Sequence, residues 1–269
     1  TRPLVNLCKH YMSIWDQAAA MRPDYIVPIS QLVSNRVKKF YLRQPLQPLY
    51  PPMALTLSTE EQKKLPNIKL PYFLSVSRLV GYKRVDLSIR ACIKLKKNLI
   101  VAGEGEEWQF LCEISPTQTV MRKKGENLNQ LIQRAQKNAA SIIFTGAVTQ
   151  NELHVLMKSM RALIMPAQED FGITALEASF FGKPCVIAAT SGVCELFQDK
   201  KHAIFISKPT VSAVAQAITA CEGQSFDATS IQLVAQQHTM ELFKKHFHTI
   251  VLEQWTKHRN EQKTHKVIH

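Results

Sequence analysis

From residue 72 onward the chain alternates short, consecutively apolar runs with longer stretches of helical period. The runs are YFLSVS (72–77), NLIVAG (98–103), SIIFTG (141–146), ALIMPA (162–167), CVIAAT (185–190) and AIFIS (203–207). Each has strand length and no polar alternation, as expected of a parallel sheet buried on both faces. Helices are predicted between them over 84–97, 126–139, 150–160, 173–182 and 210–222. Six alternations of this kind predict a doubly wound α/β fold on a parallel sheet.

The flanks read differently. WDQAAAMRPDYIVPIS and QLVSNRVKKFYLR predict a helix, a short strand and a helix, too little to close a sheet, so residues 1–50 are read as the end of another domain. YPPM and LTLSTEEQKKLPN make 51–69 a proline-stiffened linker into a main domain over 70–238. SPTQTVMRKKGENL (115–128) is polar and basic, and is read as a surface excursion. The tail, 239–269, opens with a long helix that sets Phe243, Phe247, Ile250 and Val251 on one side and Lys244, Lys245, His248 and Lys257 on the other. Such a helix packs on its own protein with a solvated basic side, or touches anionic lipid headgroups. Thr1 is not an initiator methionine, so the chain is expected to begin partway through a longer product.

Bulk values narrow the classes. No apolar run approaches the roughly 20 residues of a membrane span, and TRPLVNLCKH lacks the apolar centre of a signal peptide, which makes the cytoplasm the expected compartment. Cys8, Cys92, Cys112, Cys185, Cys194 and Cys221 have no CxxC spacing and read as free thiols. The net charge of +13 favours an anionic ligand or surface. Its lysines and arginines fall in scattered pairs without interleaved aromatics, which argues against nucleic acid.

Ligands of open parallel sheets bind beyond the carboxyl ends of the strands. In that position stand Ser77 and Arg78, Gly103-Glu104-Gly105, Gly146-Ala147-Val148, Gln168-Glu169-Asp170 and Ser191-Gly192. Lys83 and Arg84 are predicted in the first turn of a helix, where the positive end of the helix disfavours cations; an anion held with Arg78 would remove the conflict. Gly172, Ile173 and Thr174 open the helix after the fourth run, and their N–H groups make a second anion cradle. Glu177 borders the apolar side of that helix and needs donors such as ribose hydroxyls. Glu169, on the loop before it, meets a polar ligand between the cradles. Two cationic side chains and two helix termini suit a diphosphate, and two carboxylates suit two sets of sugar hydroxyls: together they describe a nucleotide diphosphate sugar.

SRLVGYKRVDLSIRA, VAGEGEE, IIFTGAVTQNELHVLM, QEDFGITALEASFFGKPCVI and SGVCELF, in this order, resemble the donor-binding half of family 4 glycosyltransferases of the GT-B fold. Bacterial enzymes that add mannose from GDP-mannose to polysaccharide or lipid-linked acceptors are the most similar. The resemblance spans about residues 10 to 255 and implies a Rossmann-like donor domain that retains anomeric configuration without a metal or other cofactor. It implies that Arg78, Lys83 and the Gly172, Ile173 and Thr174 amides hold the donor diphosphate. Glu169 would take the transferred sugar, Glu177 the ribose, and the Gly103 and Val148 loops the base. It also implies a nucleotide sugar and a saccharide or lipid-linked acceptor as partners, with peripheral contact at the inner membrane. SGVCE departs from the family's GGxxE, which places Ser191 at a glycine and offers Glu195 as its acid. PIS at 28–30 replaces an NS pair. The acceptor-side catalytic groups lie outside the sequence, so a sugar-nucleotide-binding module without turnover stands as the alternative.

Overall fold

The computed structural model describes residues 2–53, 55, 57–115 and 119–267. It divides into two compact units, Met53–Thr239 and the pair of segments Thr1–Pro52 with Met240–His269.

The larger unit is built on strands β1 (Phe73–Val76), β2 (Leu99–Ala102), β3 (Thr119–Met121), β4 (Ile142–Gly146), β5 (Leu163–Met165), β6 (Cys185–Ala188) and β7 (Ala203–Ile206). They form one seven-stranded sheet in the order β3-β4-β2-β1-β5-β6-β7. Every pairing is parallel. β1 is first in sequence yet central, with β2 on one side and β5 on the other, so the winding reverses beside it and opens the crevice where such sheets bind ligands. The six apolar runs each hold a strand. β3 is the addition: it lies at the sheet edge inside the stretch read as a surface excursion, of which residues 116–118 fall outside the described residues.

Helices α3 (Thr59–Lys64), α4 (Val85–Leu95), α5 (Trp108–Glu113), α6 (Leu128–Lys137), α7 (Gln150–Ser159), α8 (Ile173–Phe180), α9 (Val211–Gly223) and α10 (Ala228–Gln236) complete this unit. Side chains set most of the starts. Asn127 with Gln130 and Thr149 with Glu152 form reciprocal caps on α6 and α7, and Thr210 accepts the Ala213 N–H at the start of α9. One core joins Phe73, Leu99, Val101, Phe144, Ile164 and Val186 of the sheet to Ile89 of α4 and Ile218 of α9. Met53 and Leu55 are also buried, and the Met53 N–H donates to the His238 carbonyl at 2.8 Å.

The smaller unit holds α1 (Arg2–Ala20), α2 (Gln31–Tyr41) and α11 (Met240–Val267). The Arg43 guanidinium gathers the carbonyls of Ala20, Pro23 and Asp24 at 2.7, 2.6 and 2.8 Å, fastening the end of α2 to the end of α1. The short strand expected between them does not form. Pro28 has no N–H to give a ladder, and the extended chain instead accepts single bonds from Leu46 to Ile26 and from Leu49 to Pro28. Neither α1 nor the described part of α11 buries a side chain; Trp15 and Trp255 are about 60% exposed, at 60% and 59%. Phe243 and Phe247 stack with centroids 6.1 Å apart. Among the described residues no helix is long and apolar enough to cross a membrane.

Candidate donor-binding site

The loop after β1 is fixed by its neighbour. Ser77 and Leu79 donate their N–H groups to the carbonyls of Ala102 and Glu104, at 3.1 and 2.9 Å, and Gly103 donates to Gly146 at 2.9 Å. Gly103 adopts φ +132°, and a Cβ there would stand 1.9 Å from the Ser77 carbonyl oxygen, so only glycine fits between these strand ends. Arg78 lies exposed on this loop, and among the described residues its guanidinium forms no ion pair.

Lys83 and Arg84 do not enter the helix. Lys83 closes a 3-10 turn over Gly81–Lys83, and Arg84 is the N-cap of α4 in the left-handed region at φ 52°. The expected clash between cations and a helix N-terminus is resolved within the chain. Asp86 stands in the first turn and takes both the Nε and a terminal N–H of Arg84, at 3.0 and 3.2 Å. No anion is needed to explain Arg84.

Lys83 points elsewhere. Its Nζ lies 2.5 and 2.6 Å from the two carboxylate oxygens of Glu169, and 4.9 Å from the Tyr82 ring centroid. The two side chains assigned to different parts of a ligand are thus paired across the crevice between β1 and β5.

The Glu169 loop is held from behind. Ser191 Oγ accepts the Glu169 N–H at 3.1 Å and donates to the Ala167 carbonyl at 3.2 Å, while the Gly192 N–H reaches the Glu169 carbonyl at 3.0 Å. Ser191, read from the sequence as a residue beyond a strand end and as a departure from the family pattern, therefore positions the loop acid. Glu195 is exposed, at the end of a 3-10 turn over Gly192–Glu195.

At Gly172, φ is +109° and no side chain caps α8, so among the described residues the first N–H groups of this helix, those of Ile173 and Thr174 included, meet no side-chain acceptor. A Cβ on Gly172 would come within 3.2 Å of Met165 and Val193. Glu177, one turn further, is half-buried, and burial raises its carboxyl above the ordinary glutamate range. Among the described residues no hydrogen bond or ion pair reaches it.

Val148 lies half-buried in the loop after β4, next to Ala147, whose N–H donates to Glu104 Oε1 at 3.1 Å. Glu104, placed between two glycines in AGEGEE, is the second residue whose role the sequence reading passed over. A cavity of about 490 Å³ opens beside it, lined by Trp108, Lys123, Lys124 and Ala147 among others. Among the described residues no three His, Cys, Asp or Glu side chains stand where a metal ion could be held.

Residues 58–225 match the family described as glycosyl transferases group 1. An uncharacterized glycosyltransferase of Methanocaldococcus jannaschii is 26% identical over 147 residues, 53% of this chain and 33% of that protein. The alpha-1,3/1,6-mannosyltransferase ALG2 of Dictyostelium discoideum is 25% identical over 177 residues, 64% of this chain and 42% of that protein. The chain therefore spans about a third to under half of the length of the curated relatives it matches. In structure it is similar to a sucrose-phosphate synthase of Thermosynechococcus elongatus, with TM-score 0.67, 15% identity and coverage of 92% of this chain and 62% of that one. An Anabaena HepE structure in complex with UDP gives TM-score 0.65 at 18% identity, covering 87% and 65%.

Proposed function

The chain belongs to the glycosyl transferases group 1 family, and from that premise we propose that it is the donor-binding part of a retaining glycosyltransferase of family 4. It moves a hexose, mannose first, from a nucleotide diphosphate sugar to a saccharide or lipid-linked acceptor. The observation that carries this reading is the Lys83–Glu169 pair at the winding reversal, one loop away from a helix terminus with no side-chain cap and from Glu177, which has no partner among the described residues.

Each group of the pair has a better partner in such a donor. The diphosphate takes the Lys83 ammonium, with Arg78 and the α8 amides beside it, and hydroxyls of the hexose take the Glu169 oxygens. Ribose hydroxyls donate to Glu177, which satisfies a carboxylate that burial otherwise leaves without donors. As the glycosidic bond breaks, negative charge builds on the departing diphosphate, and the fixed cations and amides stabilise it most in a closed, dry cleft. Mannose is favoured by the ALG2 relatives, which are described as alpha-1,3/1,6-mannosyltransferases, and the GDP-linked donor follows from the family resemblance. Acceptor, stereochemical outcome and inner-membrane contact follow from the family resemblance.

A thermal-shift panel of GDP, UDP, ADP and their sugar conjugates tests the reading, because a ligand bound only to the folded chain raises its melting temperature by mass action. A nucleoside diphosphate and its sugar conjugate raise the melting temperature; a panel that leaves it unmoved rejects the proposal.

A further inference from the structure

We propose that Glu104 selects the base of the donor, and that the base is guanine; this rests on the donor-site reading above. Glu104 links the two loops that matter. Its carbonyl accepts the N–H of Leu79, next to Arg78, at 2.9 Å. Its carboxylate accepts the N–H of Ala147, next to Val148, at 3.1 Å. Gly146, at φ +67°, leaves room for this approach, since a Cβ there would stand 3.2 Å from Glu104 Oε1. The diphosphate loop and the base loop therefore meet at one acidic residue, the first held by its backbone carbonyl and the second by its carboxylate.

Beyond that contact lies the cavity of about 490 Å³. Two of its charged groups are already engaged: Arg122 with Glu152 at 2.6 Å and Glu126 with Arg134 at 2.7 Å. Glu104 is different. Among the described residues its side chain holds one backbone N–H, whereas an ionised carboxylate offers about four acceptor positions. Trp108, half-buried with its ring 5.3 Å from that of Phe144, supplies an aromatic wall, and the exposed Lys123 and Lys124 line the same cavity.

An acceptor-only group next to ammonium groups fits one kind of base edge. Guanine shows two adjacent donors, N1–H and N2–H, which together meet a carboxylate in two charge-assisted hydrogen bonds, and its O6 accepts from a lysine. Uracil shows a single N–H between two carbonyls, so one carbonyl would face the carboxylate unpaired. Adenine sets one donor beside an acceptor and loses half of the contact in the same way.

The test is titration calorimetry of GDP and UDP on the wild-type chain and on Glu104→Gln and Glu104→Ala. The side chain is exposed, so both variants are expected to fold, and a melting curve checks this. Wild type is expected to bind GDP about tenfold or more tighter than UDP, and both variants to lose about fivefold or more of that ratio through weaker GDP binding alone. Equal wild-type affinities, a preference for UDP, or a ratio unchanged in the variants overturns the base assignment and leaves the donor site standing. Failure of both nucleotides to bind wild type overturns the donor-site reading and this inference with it.

Discussion

Lys83 Nζ lies 2.5 Å from Oε1 and 2.6 Å from Oε2 of Glu169, which joins the loops after β1 and β5 by an ion pair between residues 86 positions apart. Both side chains are less than a fifth exposed, at 17% and 19%, so solvent screens the pair only in part. Replacing Glu169 by Gln leaves Lys83 without its carboxylate. We predict that Glu169→Gln binds GDP as tightly as wild type or up to about tenfold tighter, while the preference for GDP-mannose over GDP falls. Calorimetric titration with both ligands checks this, and equal losses for the two would contradict the division of roles.

Glu177 should respond to pH in a defined sense. Burial raises its folded-state carboxyl above the value in the unfolded chain, so the folded state holds the extra proton. Stability from this group is full at low pH and is lost as pH rises through the raised value. Glu177→Gln removes that loss. The variant should melt higher than wild type at pH 7, the difference should vanish near pH 4, below the ordinary glutamate value of about 4.3, and GDP affinity should drop. A variant that melts lower at pH 7 would show that the carboxylate has donors.

Gly103 and Gly125 separate a clash from a mere conformational preference. Both have positive φ, but a Cβ on Gly103 meets the Ser77 carbonyl at 1.9 Å, whereas nothing lies within 4 Å of one on Gly125. Gly103→Ala should destabilise by about 3 kcal/mol and Gly125→Ala by about 1 kcal/mol, read from urea denaturation. Equal costs would mean that the β1 and β2 loops give way freely.

Ser191 holds the Glu169 loop through two hydrogen bonds. Ser191→Ala should cost about 1–2 kcal/mol of stability and weaken GDP-mannose more than GDP. Equal weakening of both ligands would dissociate Ser191 from the positioning of Glu169.

Much of this fold is legible in the sequence because a parallel sheet buried on both faces writes itself as unbroken apolar runs. YFLSVS, SIIFTG and the other four each contain a strand. β3 escapes because TVM, three residues at an edge, carries too little pattern beside the basic MRKKG. The absent strand near Ile26 shows the converse, since apolar residues between Pro23 and Pro28 cannot form a ladder. At the site, residue types and loop positions are readable, but partners are not. Arg84 finds Asp86 two positions away, whereas Lys83 finds Glu169 only because β1 and β5 are neighbours. Ser191 and Glu104 act through hydrogen bonds between loops, which no periodicity records.

We propose that a diphosphate is held at the winding reversal by Arg78, Lys83 and the start of α8. The most direct measurement is calorimetric titration of GDP into the wild-type chain, Arg78→Ala and Lys83→Ala. Wild type is expected to bind, and each variant to lose more than about tenfold in affinity, or about 1.4 kcal/mol. Binding heats unchanged in both variants would contradict it.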